Sequence, residues 1–209
     1  VSRGLGDVYK RQKIIAVSKT FKIEKILPLV DHGHKDFGEN KVQEAVDKWT
    51  EIKLSNPSIQ LHLIGRLQTN KVKFAVKIFD YIHSVDSKKL AQKISDEQIK
   101  INKKIKIFIQ VNIGQEDQKS GINENELNSL ISYCSEINLD VVGLMCIPPM
   151  NEDSAFYFEK MKKLNKENNF YELKSGNLNS LDANNTSRFN NLDDSTFKRI
   201  IFSMLCFLF

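Results

Sequence analysis

Six times between residues 14 and 167, a short strand-like run, in most cases apolar and β-branched and at 35–40 ending in polar residues, gives way to a segment with apolar residues at helical spacing. This alternation constrains the fold more than any other feature. Strands that are apolar on both faces must be covered on both faces, and helical crossovers join strands in parallel. The strand-like runs are 14–20 (IIAVSKT), 35–40 (KDFGEN), 61–66 (LHLIGR), 81–86 (YIHSVD), 105–114 (IKIFIQVNIG) and 139–147 (LDVVGLMCI). The spacing predicts helices over 22–30, 42–54, 69–77, from a cap at Asp86 or Ser87 to 103, over 123–136 and over 153–167.

Two architectures use such units. A doubly wound sheet usually carries a phosphate loop after a strand, but the chain has neither G-x-G-x-x-G nor G-x-x-x-x-G-K-[ST]. A (β/α)8 barrel needs eight units, of which six are legible. The expected fold is therefore α/β and TIM-barrel-like, incomplete or aberrant at its carboxyl end.

The two ends read differently from the middle. Residues 1–12 (VSRGLGDVYKRQ) have no hydrophobic period and resemble a translated sequencing-library adapter, so they are expected to be a non-native leader. Residues 13–172 form the expected barrel domain. Residues 173–209 are the expected aberrant or divergent tail, with the native frame lost near Leu173. Asparagine occurs nine times between Asn165 and Asn191, and no glycine follows Gly176.

Composition narrows the setting. With 209 residues, 41% of them hydrophobic and 27% charged, the chain suits one globular domain with its own core. Cys134, Cys146 and Cys206 match no disulfide framework or zinc pattern, and a reducing, cytoplasmic setting is expected. The apolar run at 200–209 is about half the roughly 20 residues of a membrane span, so no membrane contact is expected. Net charge is +5, or +3 without the leader. Basic residues alternate with acidic ones along the helices, so no nucleic-acid partner is expected.

In a barrel, active groups project from the carboxyl ends of the strands. Lys19 ends the first run. It reads either as a solvated lysine leaving a strand or as a partly desolvated amine able to form a Schiff base. Glu39, Asn40, His62, Ser84, Asn112 and the Lys119-Ser120-Gly121 turn are the other polar groups near strand ends. Each also has a plain structural reading, and His62, between apolar neighbours, reads as a buried, satisfied histidine. His32 and His34 flank Gly33 in a turn and are expected to face solvent rather than bind metal.

Taken together, IIAVSKT, FGENKVQE, LHLIGRLQTNK, HSVDS, VNIGQEDQKSGI and GLMCIPP resemble, in order and spacing, the pyridoxal-phosphate homeostasis proteins of the YggS/PROSC (PLPBP) family. The resemblance implies a barrel similar to the amino-terminal domain of alanine racemase. It implies pyridoxal 5′-phosphate held as a Schiff base on Lys19, in a pocket with Asn40, His62, Ser84, Lys119 and Met145. It implies no established turnover and no catalytic residue. The protein would act as a cytoplasmic monomer that buffers the cofactor and passes it to apoenzymes dependent on it. The alternative is an amino-acid racemase or lyase using the same cofactor. It is disfavoured because the 40 or so residues after the legible units are too few for the second domain of alanine racemases.

The family places an S-x-G-M-S loop after strand seven and an R-I-G-[ST] segment at strand eight, both around the phosphate. Here the matching stretches read Lys174-Ser175-Gly176-Asn177 and Lys198-Arg199-Ile200-Ile201, with Arg199 as the partner of the pyridine nitrogen. Losing two charge-assisted hydrogen bonds to the phosphate would weaken binding by about two to four orders of magnitude.

Overall fold

The computed structural model describes residues 14–150 and 152–170, and the backbone of Glu172–Ser175 and Leu205–Phe207. The expected leader, the rest of the expected tail and Arg199 lie outside the described residues. The strands are β1 (Ile14–Val17), β2 (Asp36–Glu39), β3 (Gln60–Leu63), β4 (Tyr81–Val85), β5 (Lys106–Val111), β6 (Asp140–Cys146), β7 (Glu172–Ser175) and β8 (Leu205–Phe207). The α-helices are α1 (Leu27–Asp31), α2 (Val42–Ser55), α3 (Val72–Ile78), α4 (Lys88–Lys100), α5 (Leu127–Glu136) and α6 (Ser154–Glu167).

The sheet order is β7-β6-β5-β4-β3-β2-β1-β8. From β1 to β7 each strand lies parallel to its sequence neighbour. A doubly wound sheet would reverse direction at a switch point, so this order is that of a barrel-like fold. β8 departs from the parallel pattern: it runs antiparallel to β1, with Ile15 opposite Cys206, and also lies against β7.

Local chemistry sets the element ends. The helix expected over 22–30 is broken into a 3-10 turn, Ile23–Lys25, and the short α1. Pro28 is the cause: it has no N–H to continue the ladder, and its fixed φ suits the first turn of a new helix. Ser87 caps α4 by accepting from Leu90 N at 3.3 Å. α4 stops at Lys100, short of 103, because Asn102 takes a left-handed φ of 49° and Lys103 N turns back to Gln98 O. Asp153 caps α6 through Ala155 N at 2.9 Å.

Strand alternation divides the core into two layers. Between sheet and helices lie Phe37, Trp49, Leu61, Leu63, Val76, Ile82, Ile94, Ile107, Ile109 and Leu144. A second, smaller cluster of Ile15, Tyr81, Phe108 and Met145 fills the inner face. A polar line runs beside it. His62 Nε2 bonds Asp36 Oδ1 at 3.1 Å, and His62 Nδ1 shares a hydrogen bond with His83 Nε2 at 3.0 Å. Tyr81 stacks on His62 and Phe108 on His83.

One expectation needs correction. His34 does not face solvent: its ring packs edge-on against Phe37, and its Nε2 bonds the Asp36 carbonyl at 2.9 Å. Burial lowers its pKa below the ordinary histidine value despite that bond. Among the described residues, no helix is long and apolar enough to cross a membrane.

Candidate functional site

The strand register brings the strand-end residues together. Val17 lies opposite Gly38, so Lys19 and Asn40 leave their strands at the same level. Ile64 N bonds Glu39 O at 2.9 Å, and the chain then turns so that Gly65 presses on Asn40. A Cβ on Gly65 would sit 2.2 Å from the Asn40 carbonyl oxygen, so only glycine allows this approach. Ser84 Oγ donates to Gly65 O at 2.8 Å. Ser84 therefore acts on Asn40 through Gly65, and the three form one contiguous rim across β2, β3 and β4. The Asn40 side chain is half-buried, and its Oδ1 is buried with no hydrogen-bond partner among the described residues.

Lys19 is also half-buried, and no ion pair or hydrogen bond with the described residues engages its ammonium. The residue after it, Thr20, has φ 67°, a left-handed conformation that is uncommon for a β-branched side chain. This turn closes with Phe21 N donating to Ser18 O at 3.2 Å. Two other lysines at this end are fully engaged. Lys48 donates to Glu39 Oε1 and to Ser18 O, each at 2.8 Å. Lys119 donates to Pro148 O at 3.0 Å and pairs with Glu116 Oε2 at 2.5 Å.

Lys119 reaches the end of β6 because the loop after β5 is folded back on its own strand. Asn112 bonds Glu116 through both its side-chain oxygen and nitrogen, and Asn112 N bonds Ile122 O at 2.9 Å. Gly121, at φ 119°, fits against the Asn112 amide, where a Cβ would come within 2.7 Å. Beside Lys119, burial pushes the Cys146 thiol up to about 12, with the lysine pulling weakly the other way.

The remaining expected site residues sit one layer deeper. His62 is fully buried opposite Gly38, and its two ring nitrogens are engaged by Asp36 and His83. Met145 packs with Ile15, Tyr81 and Phe108 on the inner face. The structure therefore sets Lys19 and Asn40 level at the carboxyl ends of β1 and β2, with Ser84 buried against Gly65, Lys119 on the loop after β5, and His62 and Met145 on the inner face below. Sequence reading missed Lys48, Trp49, Gly65 and His83. For Gly65, the glycine directly after an apolar run was the available signal. For Lys48 there was none.

A primary amine and a buried amide oxygen, neither with a partner among the described residues, can take up a carbonyl compound and hold it in one orientation. Comparison with known proteins bears on which one. The alanine racemase N-terminal domain family matches residues 4–196. The pyridoxal phosphate homeostasis protein of Aquifex aeolicus is 40% identical over 159 residues, 74% of this chain and 69% of that one. Its namesake in Pasteurella multocida is 38% identical, over 68% of this chain and 62% of that one. The chain thus spans about two thirds of the length of these relatives. PipY of Synechococcus elongatus, solved without PLP, superposes with a TM-score of 0.68 at 29% identity, covering 81% of this chain and 85% of PipY. PipY with PLP bound superposes with a TM-score of 0.64 at 30% identity, over 76% and 78%. An alanine racemase of Clostridium difficile shares the fold at 15% identity, with a TM-score of 0.61 over 78% of this chain and 45% of the racemase. The fold, the order of the strand-end motifs and this set of relatives together make the chain a member of the pyridoxal phosphate homeostasis protein family, built on the alanine racemase N-terminal domain.

Proposed function

We propose that this chain binds pyridoxal 5′-phosphate through Lys19 and serves in cofactor homeostasis rather than turnover. When bound, this cofactor supplies an aldehyde that condenses reversibly with a primary amine. The residues at the mouth fit it. Lys19 offers the amine, Asn40 Oδ1 offers a buried acceptor without a described donor, and Gly65 leaves room for close approach. The observation that carries the reading is the contrast among neighbouring lysines: among the described residues, carboxylates and carbonyls hold Lys48 and Lys119 but not Lys19. Named relatives and PLP-bound PipY support the choice of ligand.

By the family pattern, the phosphate would be held by the stretches after β7 and around Arg199, which lie outside the described residues. The sequence there departs from the family pattern, so an affinity below that of full relatives goes with this reading. A monomer that hands its cofactor to apoenzymes in the cytoplasm completes the proposal. The buried free thiols Cys134 and Cys146 suit a reducing compartment.

Racemisation needs a second proton carrier facing the amine. Lys119 has its ammonium occupied and His62 lies buried below, so nothing described favours turnover. The test is an absorbance titration with pyridoxal 5′-phosphate, followed by borohydride trapping and peptide mapping. Wild type is expected to turn yellow and to carry the label on Lys19. Lys119→Ala should keep that label and Lys19→Ala should lose it. A label spread over surface lysines, equal in wild type and Lys19→Ala, would refute the reading. Conversion of amino acids by the loaded protein would replace it with the racemase or lyase reading.

A further inference from the structure

Behind the mouth, on the helix-facing side of β1 and β2, lies a buried polar cluster that the proposed function does not use. Glu39 is completely buried. Its Oε1 accepts from Ser18 Oγ at 2.7 Å, Lys48 Nζ at 2.8 Å and Trp49 Nε1 at 2.9 Å. Lys48 Nζ also donates to Ser18 O at 2.8 Å, and Ser18 N donates to Gly38 O at 2.8 Å. Every polar group of Ser18 is thereby held.

Alternation along a strand places Ser18 and Glu39 on one face and their successors, Lys19 and Asn40, on the other. The cluster and the mouth are thus two sides of the same two strand ends. The Ser18 carbonyl belongs to the peptide unit that carries Lys19. Lys48 and Phe21 N both bond that oxygen, and Thr20 completes the turn at positive φ. Burying a carboxylate and an ammonium is costly, and apolar side chains would pack α2 on the sheet as well or better. An apolar pair could not fix the plane of that peptide.

We propose that Glu39 and Lys48 are positioning residues that hold the Ser18–Lys19 peptide so that the Lys19 amine points into the mouth. As far as cofactor capture is concerned, this rests on the function proposed above. The holding of the peptide does not.

Helix α2 supplies a matched control. Lys53, on the same helix, pairs with Asp80 and donates to Ile78 O at the other end of the barrel. Lys48→Met, Lys48→Arg and Lys53→Met would be compared with wild type by two readouts. One is amide hydrogen exchange at Phe21, measured without cofactor. The other is the pyridoxal 5′-phosphate concentration that half-saturates borohydride trapping on Lys19. Lys48→Met should speed Phe21 exchange and raise the half-saturating concentration, each by about tenfold or more, as loss of one charge-assisted hydrogen bond implies. Lys48→Arg, which keeps a donor, should recover most of both. Lys53→Met should lower the melting temperature by a similar amount and move neither. If Lys48→Met does not fold, Ser18→Ala removes a single donor and should show the same changes at smaller size.

Unchanged Phe21 exchange in Lys48→Met overturns the proposal. So does an equal effect from Lys53→Met. A Phe21 effect in a protein whose wild type never traps on Lys19 would uphold the positioning and sink the cofactor reading alone.

Discussion

At the amino end of the strands, Lys53 and Lys103 converge on Asp80, which also accepts from Leu61 N at 2.7 Å. Both lysines cap nearby carbonyls as well, Lys53 that of Ile78 and Lys103 that of Phe79. Burial pulls the Lys103 ammonium below the usual lysine range, and Asp80 partly restores it. At the carboxyl end the same device recurs in Lys48 and Glu39, yet beside it Lys19 has no partner among the described residues. The amino end satisfies its charges and gains cohesion. At the carboxyl end, on the proposal above, the same chemistry holds the peptide that carries the Lys19 amine. Barrel enzymes in general put stability at the first end and reactivity at the second.

The largest effect is expected at the mouth. Gly65→Ala places a methyl group against the Asn40 backbone, an overlap that no rotamer change relieves. It should cost about 3 kcal/mol in urea unfolding and abolish trapping on Lys19. Retained trapping would show that Asn40 does not shape the site. At the other end, Asp80→Asn removes the charge shared by two lysines. It should cost about 2 kcal/mol and leave trapping unchanged. A loss of trapping would show that the two ends are coupled.

Two smaller effects sharpen the picture. Thr20→Gly removes the cost of a left-handed β-branched residue and should raise stability by about 1 kcal/mol. If the turn directs Lys19, trapping should weaken even as the protein becomes more stable. The last concerns pH. His34 has a lowered pKa in the fold, so the unfolded chain binds its proton more readily. Its contribution is complete above the unfolded value of about 6.5 and fades as pH falls from there through the lowered folded value. His34→Gln should flatten stability measured by denaturant melts across that window. An unchanged slope would place the acid sensitivity elsewhere.

Much of this was legible in the sequence, for physical reasons. β1, β4, β5 and the carboxyl half of β6 are buried on both faces or nearly so, and their apolar residues therefore stood out. Ser87 and Asp153 announced their helices because caps are local chemistry. Lys19 and Asn40 were visible as polar residues at strand ends. Lys48 was not, since on a helix it reads like any solvated lysine. Its contact with Ser18 exists only after β1, β2 and α2 have packed. His34 was misread for a related reason: a turn beside glycine looks exposed until Phe37 supplies the wall of its niche. The reversed direction of β8 had no local signal, because pairing direction is decided by a partner far away in the chain.

The order of the sheet also bears on how the molecule is made. From β1 to β7 every new strand docks on the one translated just before it. The ladder can therefore lengthen step by step behind the ribosome, without waiting for distant segments. The pairing of Ile14 with Phe207 is the exception. The edge of β1, which carries the lysine proposed to capture the cofactor, stays open to chaperones or to stray strands until residues 205–207 have been made.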